Sequence, residues 1–538
     1  MARSLRITLT ALGVAAVNAW PHGPQVINNP VLYQDLADLD PFRVDDTFYY
    51  SASSMHFSPG APLLRSYNLA DWEYIGNSIP SLDFGSPAYN LDDGERAYAR
   101  GVWASAIRYR QSSGLWHWIG CVDFNSTYFY TATSPTGPWE QRNVIGQCLY
   151  DCGLLIDDDD TMYVSHGSTN LSVAQLTPDG LDVAKDQVVF RYDAYIEGSR
   201  MYKRKDNYYI LTVEPVVGEY VLKSDSGPFG PYEFGIMLNE TKSPSGLAGG
   251  DVPHQGGIVD TPNGDWYYMS FVDVCGDSCG RVPVIAPFTW GDDGFPKLEL
   301  APNNTWPEMV PVPVQHATKW ENTVQTGNRP FQSTFLPGLA PEYEWNHNPD
   351  NTKWSLHEDG ICLETASVTD DLYQAKNTLT HRIIGPQSVA TIELDISNMA
   401  DGDRTGLSMF RDVSAWIGVE KNGSQLTLVM STNLTMNGTD KWATVNKGVQ
   451  VATQVLPAGT SCIWLQTEGD FRSPPTGTLL TSFAYSLDGR AFTTFGGSFR
   501  LATDWQFFQG YRFAVFNFAR KALGGWVTLR SLRVDLVS

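Results

Sequence analysis

Five side chains of chemically useful type stand at nearly the same distance from a recurring aromatic marker. Asp38, Trp103, Asp151, Glu197 and His254 precede Tyr49, Trp116, Tyr163, Tyr208 and Tyr267 by 11, 13, 12, 11 and 13 residues. Three carboxyls held in one register are costly for stability alone, because like charges brought together raise one another's pKa; such a gathering points to function. Paired carboxyls beside an aromatic wall suit hydrolysis of a glycosidic bond. One protonated acid serves the leaving oxygen, one carboxylate serves as base for a water, and an apolar face meets the sugar ring. Acidic residues at strand starts also serve as turn caps, a reading that the shared register across three repeats makes less economical.

The elements that would position these residues repeat as well. An apolar start, a polar Asp/Asn/Gly turn and an aromatic cluster recur as RVDDTFYY (43–50), RYRQSSGLWHW (108–118), LIDDDDTMYV (155–164), YKRKDNYYI (202–210) and IVDTPNGDWYY (258–268). The markers are 67, 47, 45 and 59 residues apart, a period that suits propeller blades of four short strands. The sequence therefore predicts a five-bladed β-propeller over 20–315, whose innermost strands bring the five residues together around the axis. Asp157 to Asp160 fall in a hairpin turn and read as a solvated turn, not a calcium site. Three prolines between Pro307 and Pro313 and a polar stretch after them predict a linker at 316–330. From 331 to 538, alternation such as TIELDIS (391–397) and WVTLRSLRVDLV (526–537) predicts a β-sandwich. The fold class is all-β; helical periodicity is nearly absent.

Composition narrows the partners. The 538 residues carry 37 Lys+Arg against 59 Asp+Glu, a net charge of −22, so nothing is available to neutralise phosphates. Nucleic acid and anionic membranes are excluded as partners. Arg3 and Arg6 precede the uncharged stretch Ile7 to Val17, and Val17-Asn18-Ala19 offers small residues for cleavage; residues 1–19 read as a secretory signal. Sequons at Asn125, Asn170, Asn239, Asn303, Asn422, Asn433 and Asn437 agree with a secreted, extracellular glycoprotein. The seven cysteines then imply disulfides. Cys148–Cys152 and Cys275–Cys279 are expected as local staples and Cys362–Cys462 as a long-range bridge. No Cys-x-x-Cys repeat or His pair suggests a metal site.

At these residues the sequence resembles glycoside hydrolase family 43, five-bladed propeller enzymes that include β-xylosidases and α-L-arabinofuranosidases. The resemblance rests on NPVL (29–32), ADLDPFRV (37–44), FSPGAP (57–62), LADWEYIG (69–76), Trp103-Ala104, YDCGLLIDDDD (150–160), IEGSRMYK (196–203), HQGGIVDTPNGDWYY (254–268), GRVPVIAPFTW (280–290) and EWNHNPDNTKWSL (344–356). It implies Asp38 as general base, Glu197 as general acid and Asp151 as the carboxyl that modulates and orients the acid. It also implies Arg281 as a hydrogen-bond donor to the sugar, His254 near the axis beside a metal or ordered water, and a concanavalin-like sandwich. The family's Ala-Asp-Pro-Ser is here Ala37-Asp38-Leu39-Asp40. Spacing to Arg43-Val44 and to Pro59-Gly60 favours Asp38, whereas anchoring on Asp40-Pro41 would make Asp40 the base.

The resemblance implies hydrolysis with inversion, the two carboxyls about 6.5–9.5 Å apart. No cofactor is required, and an axial calcium is the one metal it would allow. The Asp-Leu-Asp opening and the long sandwich look most like secreted fungal arabinofuranosidases acting on arabinoxylan, doubly substituted xylose included; β-xylosidase on xylo-oligosaccharides is the alternative. A propeller that binds sugar without cleaving it would be missing one of the three acids, and all three are present. Trp526, after Gly524-Gly525, is either a sugar-stacking residue flanking the pocket or a core residue of the terminal strand. A monomer is expected.

Overall fold

The computed structural model describes residues 26–312 and 329–537, apart from 248 and 275–277. The leader and most of the expected linker lie outside the described residues. Each of the five repeated hairpins forms the inner strand pair of a four-stranded antiparallel sheet. Blade 1 is built from Phe42–Val44, Thr47–Ser51, Gly60–Ser66 and Trp72–Ile79, and blade 2 from Val102–Arg110, Leu115–Val122, Ser126–Ala132 and Glu140–Ile145. Blade 3 runs Gly153–Ile156, Met162–His166, Asn170–Leu176, Val183–Arg191, and blade 4 runs Glu197–Arg204, Asn207–Glu214, Gly218–Ser224, Glu233–Asn239. Blade 5 comprises His254–Asp260, Trp266–Val274, Gly280–Trp290 and Pro296–Leu298. Every inner hairpin turns through one left-handed residue, namely Asp45, Gly114, Asp160, Lys205 or Gly264. That conformation matches the twist of the flanking strands.

Neighbouring blades bury apolar faces against each other. Phe42, Leu63 and Trp118 pack between blades 1 and 2, Ile119, Leu154 and Val164 between 2 and 3, and Tyr163, Met201 and Leu222 between 3 and 4. Blades 5 and 1 meet through Met269, Ile285 and Tyr50. The ring is tied shut by Val26–Asn28 pairing with Met309–Pro311 and by Asn29, whose amide exchanges hydrogen bonds of 2.8 Å with the Ile285 backbone.

Residues from Phe331 onward form two packed sheets. One includes Tyr343–Asn346, Leu379–Arg382, Asp403–Phe410, Val413–Asn422, Gln425–Asn437, Ala443–Val455 and Arg512–Ala519, and its edge is completed by Phe57–Ser58 of the propeller. The boundary is therefore a continuous sheet edge, backed by buried polar contacts. Glu344 holds Arg382 at 2.9 Å and Arg512 at 2.6 Å. Arg382 Nε donates to the Asp35 carbonyl, Gly510 N–H to the Asp35 carboxylate and Gln509 to the Ser54 carbonyl. The sandwich thus grips the segment that carries Asp38.

The expected cysteine pairing is corrected. Cys148 bonds Cys121, not Cys152. Thr127, the register partner of Cys121, accepts through its hydroxyl from Leu149 N–H and donates to the Gln147 carbonyl, so Cys148 is delivered onto Cys121. Cys152 is buried, its thiol toward the Ile119 carbonyl at 3.5 Å. Cys362 and Cys462 are unbridged. They lie in one row of a sheet, Cys362 opposite Thr528, Thr528 opposite Asp395 and Asp395 opposite Cys462. Three strand spacings of about 4.8 Å separate them, beyond a disulfide's reach. The Cys275–Cys279 expectation falls partly outside the described residues.

Asp157 to Asp160 form the expected hairpin turn, with Asp157 on Lys203 and Tyr208 and Asp160 on Arg110.

Candidate active site

All five innermost strands start at one end of the propeller, and the residues picked out by the repeat stand at or just before those starts. Glu197 and His254 are the first residues of their strands, Trp103 the second, Asp151 two residues before and Asp38 four before. In blades 2, 4 and 5 the strand entry is bulged, with register shifts at Val102/Ser105, Glu197/Arg200 and His254/Gly257. Bulges re-aim side chains and cluster beside active sites. Asp38, Asp151 and Gln255 have φ of 61°, 53° and 49°, left-handed values that cost non-glycine residues energy and are retained where surrounding structure enforces them.

Asp38 is buried. Its carboxylate accepts from Ser53 Oγ and from Arg281 Nη1 at 3.0 and 3.2 Å, while its backbone carbonyl accepts from the fully buried Arg200 at 2.9 Å. Asp151 Oδ2 accepts from Gly198 N–H at 3.0 Å and from Gln255 Nε2 at 3.2 Å. Burial, then the charges of Glu197 and Asp38, hold the Asp151 carboxyl well above the usual range. The three acids therefore share one electrostatic site. Glu197 is half-buried and receives the hydroxyls of Tyr150 at 2.5 Å and Tyr195 at 2.8 Å.

Arg281, expected on the sugar, is held on Asp38 in this structure. Asp40, the alternative base, is buried in a different setting, on Arg108 at 2.9 Å and on the Tyr202 hydroxyl at 2.7 Å. His254 spends Nδ1 on the Val252 carbonyl at 2.6 Å, and burial lowers its pKa. Its Nε2 lies 3.9 Å from Asp273. Calcium takes six to eight oxygen ligands. Among the described residues no group of three or more His, Cys, Asp or Glu could hold a metal ion, so these side chain types do not by themselves make up a calcium shell around His254.

Trp103 opens a line of aromatic rings that the sequence did not reveal. Phe508 of the sandwich stands edge-on to it at 5.0 Å, Phe124 is 5.3 Å from it, and Tyr150 is 5.8 Å from Phe124. Tyr150 and Tyr195 then approach to 3.3 Å through their hydroxyls above Glu197. The sandwich does reach the site, but through Phe508 and not through Trp526. Trp526 lies in the other sheet, where it pairs with Glu364 and donates its backbone N–H to the Asn398 carbonyl.

Comparison with known proteins follows the same division of the chain. Residues 27–296 match the model of glycosyl hydrolases family 43, and residues 331–534 that of the beta xylosidase C-terminal concanavalin A-like domain. A beta-xylosidase of Formosa agariphila is 24% identical over 95% of this chain and 91% of its own length. A non-reducing end alpha-L-arabinofuranosidase of Bacteroides ovatus is 23% identical over 80% of this chain and 83% of its own length. A solved structure superimposes with a TM-score of 0.90 at 40% identity, covering 95% of this chain and all of its own. It concerns a glycoside hydrolase engineered at its active site to display both endo-xylanase and exo-arabinofuranosidase activity.

Proposed function

Because this chain belongs to glycosyl hydrolases family 43, we propose that it is a secreted, inverting hydrolase that releases α-L-arabinofuranose side chains from arabinoxylan, doubly substituted xylose included. The observation that carries this reading is the ring line Phe508, Trp103, Phe124 and Tyr150 beside Glu197. Phe124 is 56% exposed, so the rings meet solvent there, which suits a polymer passing by while one side-chain sugar enters. The 40%-identical neighbour with exo-arabinofuranosidase activity supports the same choice. Secretion is supported by the leader-like first 19 residues and by the Cys121–Cys148 disulfide.

Asp38 takes the proton of a water that attacks the anomeric carbon. Ser53 and Arg281 fix its carboxylate, so it is aimed before substrate arrives. Glu197, oriented by two tyrosine hydroxyls, delivers a proton to the departing oxygen. Burial, then the charges of Glu197 and Asp38, hold the Asp151 carboxyl well above the usual range, which keeps a proton beside Glu197, the more accessible of the two carboxyls. Asp151 also binds the N–H next to Glu197, tying the acid's backbone to the blade before it.

Identifying the monosaccharide released from arabinoxylan tests the proposal, and arabinose is expected. Cleavage of xylobiose without activity on polymeric arabinoxylan would overturn it and favour β-xylosidase, the activity in the name of the relative that aligns with 95% of the chain. The anomer first released, read by NMR, tests inversion separately.

A further inference from the structure

A second aromatic surface lies outside the site. Phe190 and Tyr192, at the end of the outer strand of blade 3, meet Phe234 of the outer strand of blade 4. The ring planes are nearly parallel, at 6° for Phe190–Phe234, 16° for Tyr192–Phe234 and 22° for Phe190–Tyr192. Their centroids are 6.0, 5.4 and 6.3 Å apart. Those separations form a near-equilateral triangle, so no ring is sandwiched between the other two. Tyr220, buried, supports Tyr192 and Phe234 at 5.5 and 5.1 Å. Phe234 and Ile236, on one face of their strand, are 39% and 61% exposed. Phe190 and Tyr192 are partly exposed beside them, and exposed apolar side chains gathered in this way mark binding sites.

Topology connects the surface to the site. In an up-and-down blade the innermost strand runs away from the end where the acids sit, and the fourth strand returns to it. Tyr192 therefore emerges at the end from which Glu197 opens blade 4. Five residue steps separate them, about 16 Å of extended chain, and Tyr195, on Glu197, lies between. The rings at the pocket end on Tyr150 and on Tyr195, which follows Tyr192 by three residues. The sequon asparagine Asn170 pairs with Arg191. It shares Arg191's sheet face, while Phe190 and Tyr192 alternate to the other.

We propose that Phe190, Tyr192 and Phe234 form a second, non-catalytic binding surface for the neutral pyranose main chain of the polysaccharide whose side chains the pocket removes. The proposal rests on the substrate reading given above. Ring faces take apolar sugar faces, and a chain of net charge −22 disfavours an acidic polymer. Holding one polymer at two places raises its effective concentration at the pocket, a gain that a small glycoside cannot use.

The test compares wild type, Phe234→Ala, Phe234→Tyr and Ile236→Asp in affinity gels containing unsubstituted xylan and in kinetics on arabinoxylan and on a small aryl α-L-arabinofuranoside. Phe234→Ala is expected to lose retardation and to raise KM on the polymer about tenfold, the equivalent of about 1.4 kcal/mol, with small-glycoside kinetics unchanged. Phe234→Tyr retains both properties. Should Phe234→Ala prove unstable, Ile236→Asp decides, because a hydrated carboxylate at that exposed position must weaken retardation. Retardation equal to wild type in both Phe234→Ala and Ile236→Asp overturns the proposal. So does concentration-dependent dimerisation that Phe234→Ala abolishes, since the surface would then belong to a second copy of the chain. Release of arabinose with retardation insensitive to Phe234 removes the surface alone. Retardation through Phe234 without arabinose release removes the substrate reading alone.

Discussion

Glu219 is fully buried in the third strand of blade 4, and burial pushes its carboxyl from an ordinary 4.5 up to about 8. Its Oε2 accepts the Gln255 N–H at 3.0 Å, and the Gln255 side chain in turn holds Asp151. Between these two pKa values the folded chain keeps a proton that the unfolded chain has released, so stability falls as pH rises from 4.5 to about 8 and then levels off. Each pH unit is worth about 1.4 kcal/mol. The penalty is therefore nil at pH 4, about 3 kcal/mol at pH 7 and about 5 kcal/mol above pH 8. Glu219→Gln cannot ionise and still offers an oxygen to Gln255 N–H. Its melting temperature should match wild type at pH 4 and exceed it by several degrees at pH 7, the gap widening to pH 8. Calorimetry of both proteins from pH 4 to 8.5 measures this. A gap that does not change with pH, or one that widens toward acid, would refute the reasoning.

Two further outcomes are expected. Asp38→Ala and Glu197→Ala should each lower kcat about 10²–10⁴-fold or more, whereas Asp40→Ala keeps turnover but lowers the melting temperature, because it strands Arg108 in a buried ion-pair site; activity in Asp38→Ala would sink the base assignment. Cys121→Ser should destabilise by about 3.5 kcal/mol, the entropy of a loop spanning 27 residues, while mass spectrometry over a time course of alkylating native protein should find the partly exposed Cys362 and Cys462 labelled slowly, because burial raises both thiols, Cys462 to about 11, and the buried Cys152, its thiol pushed up to about 12, untouched.

What was legible in the sequence was local. Period-two alternation, a turn residue able to take positive φ and an aromatic cluster define each inner hairpin within about ten residues. Five copies of that unit force radial closure and place Asp38, Asp151 and Glu197 at equivalent strand entries. Family motifs then assign chemistry to those positions. Contacts that depend on the path between repeats were not legible. Ser53 reaches Asp38 from the start of a neighbouring loop, Gln255 crosses from blade 5 to Asp151, and Phe508 arrives at Trp103 from a sandwich some 400 residues later in the chain. The cysteine pairing failed for the same reason. Cys148 and Cys152 are near in sequence, but Thr127 draws Cys148 to Cys121, while Cys152 turns to the Ile119 carbonyl. A residue's own strand dictates which face it occupies. Only the packing of separate strands decides which residue faces it, because that partner is chosen by whole-sheet register and burial, which no single stretch of sequence encodes.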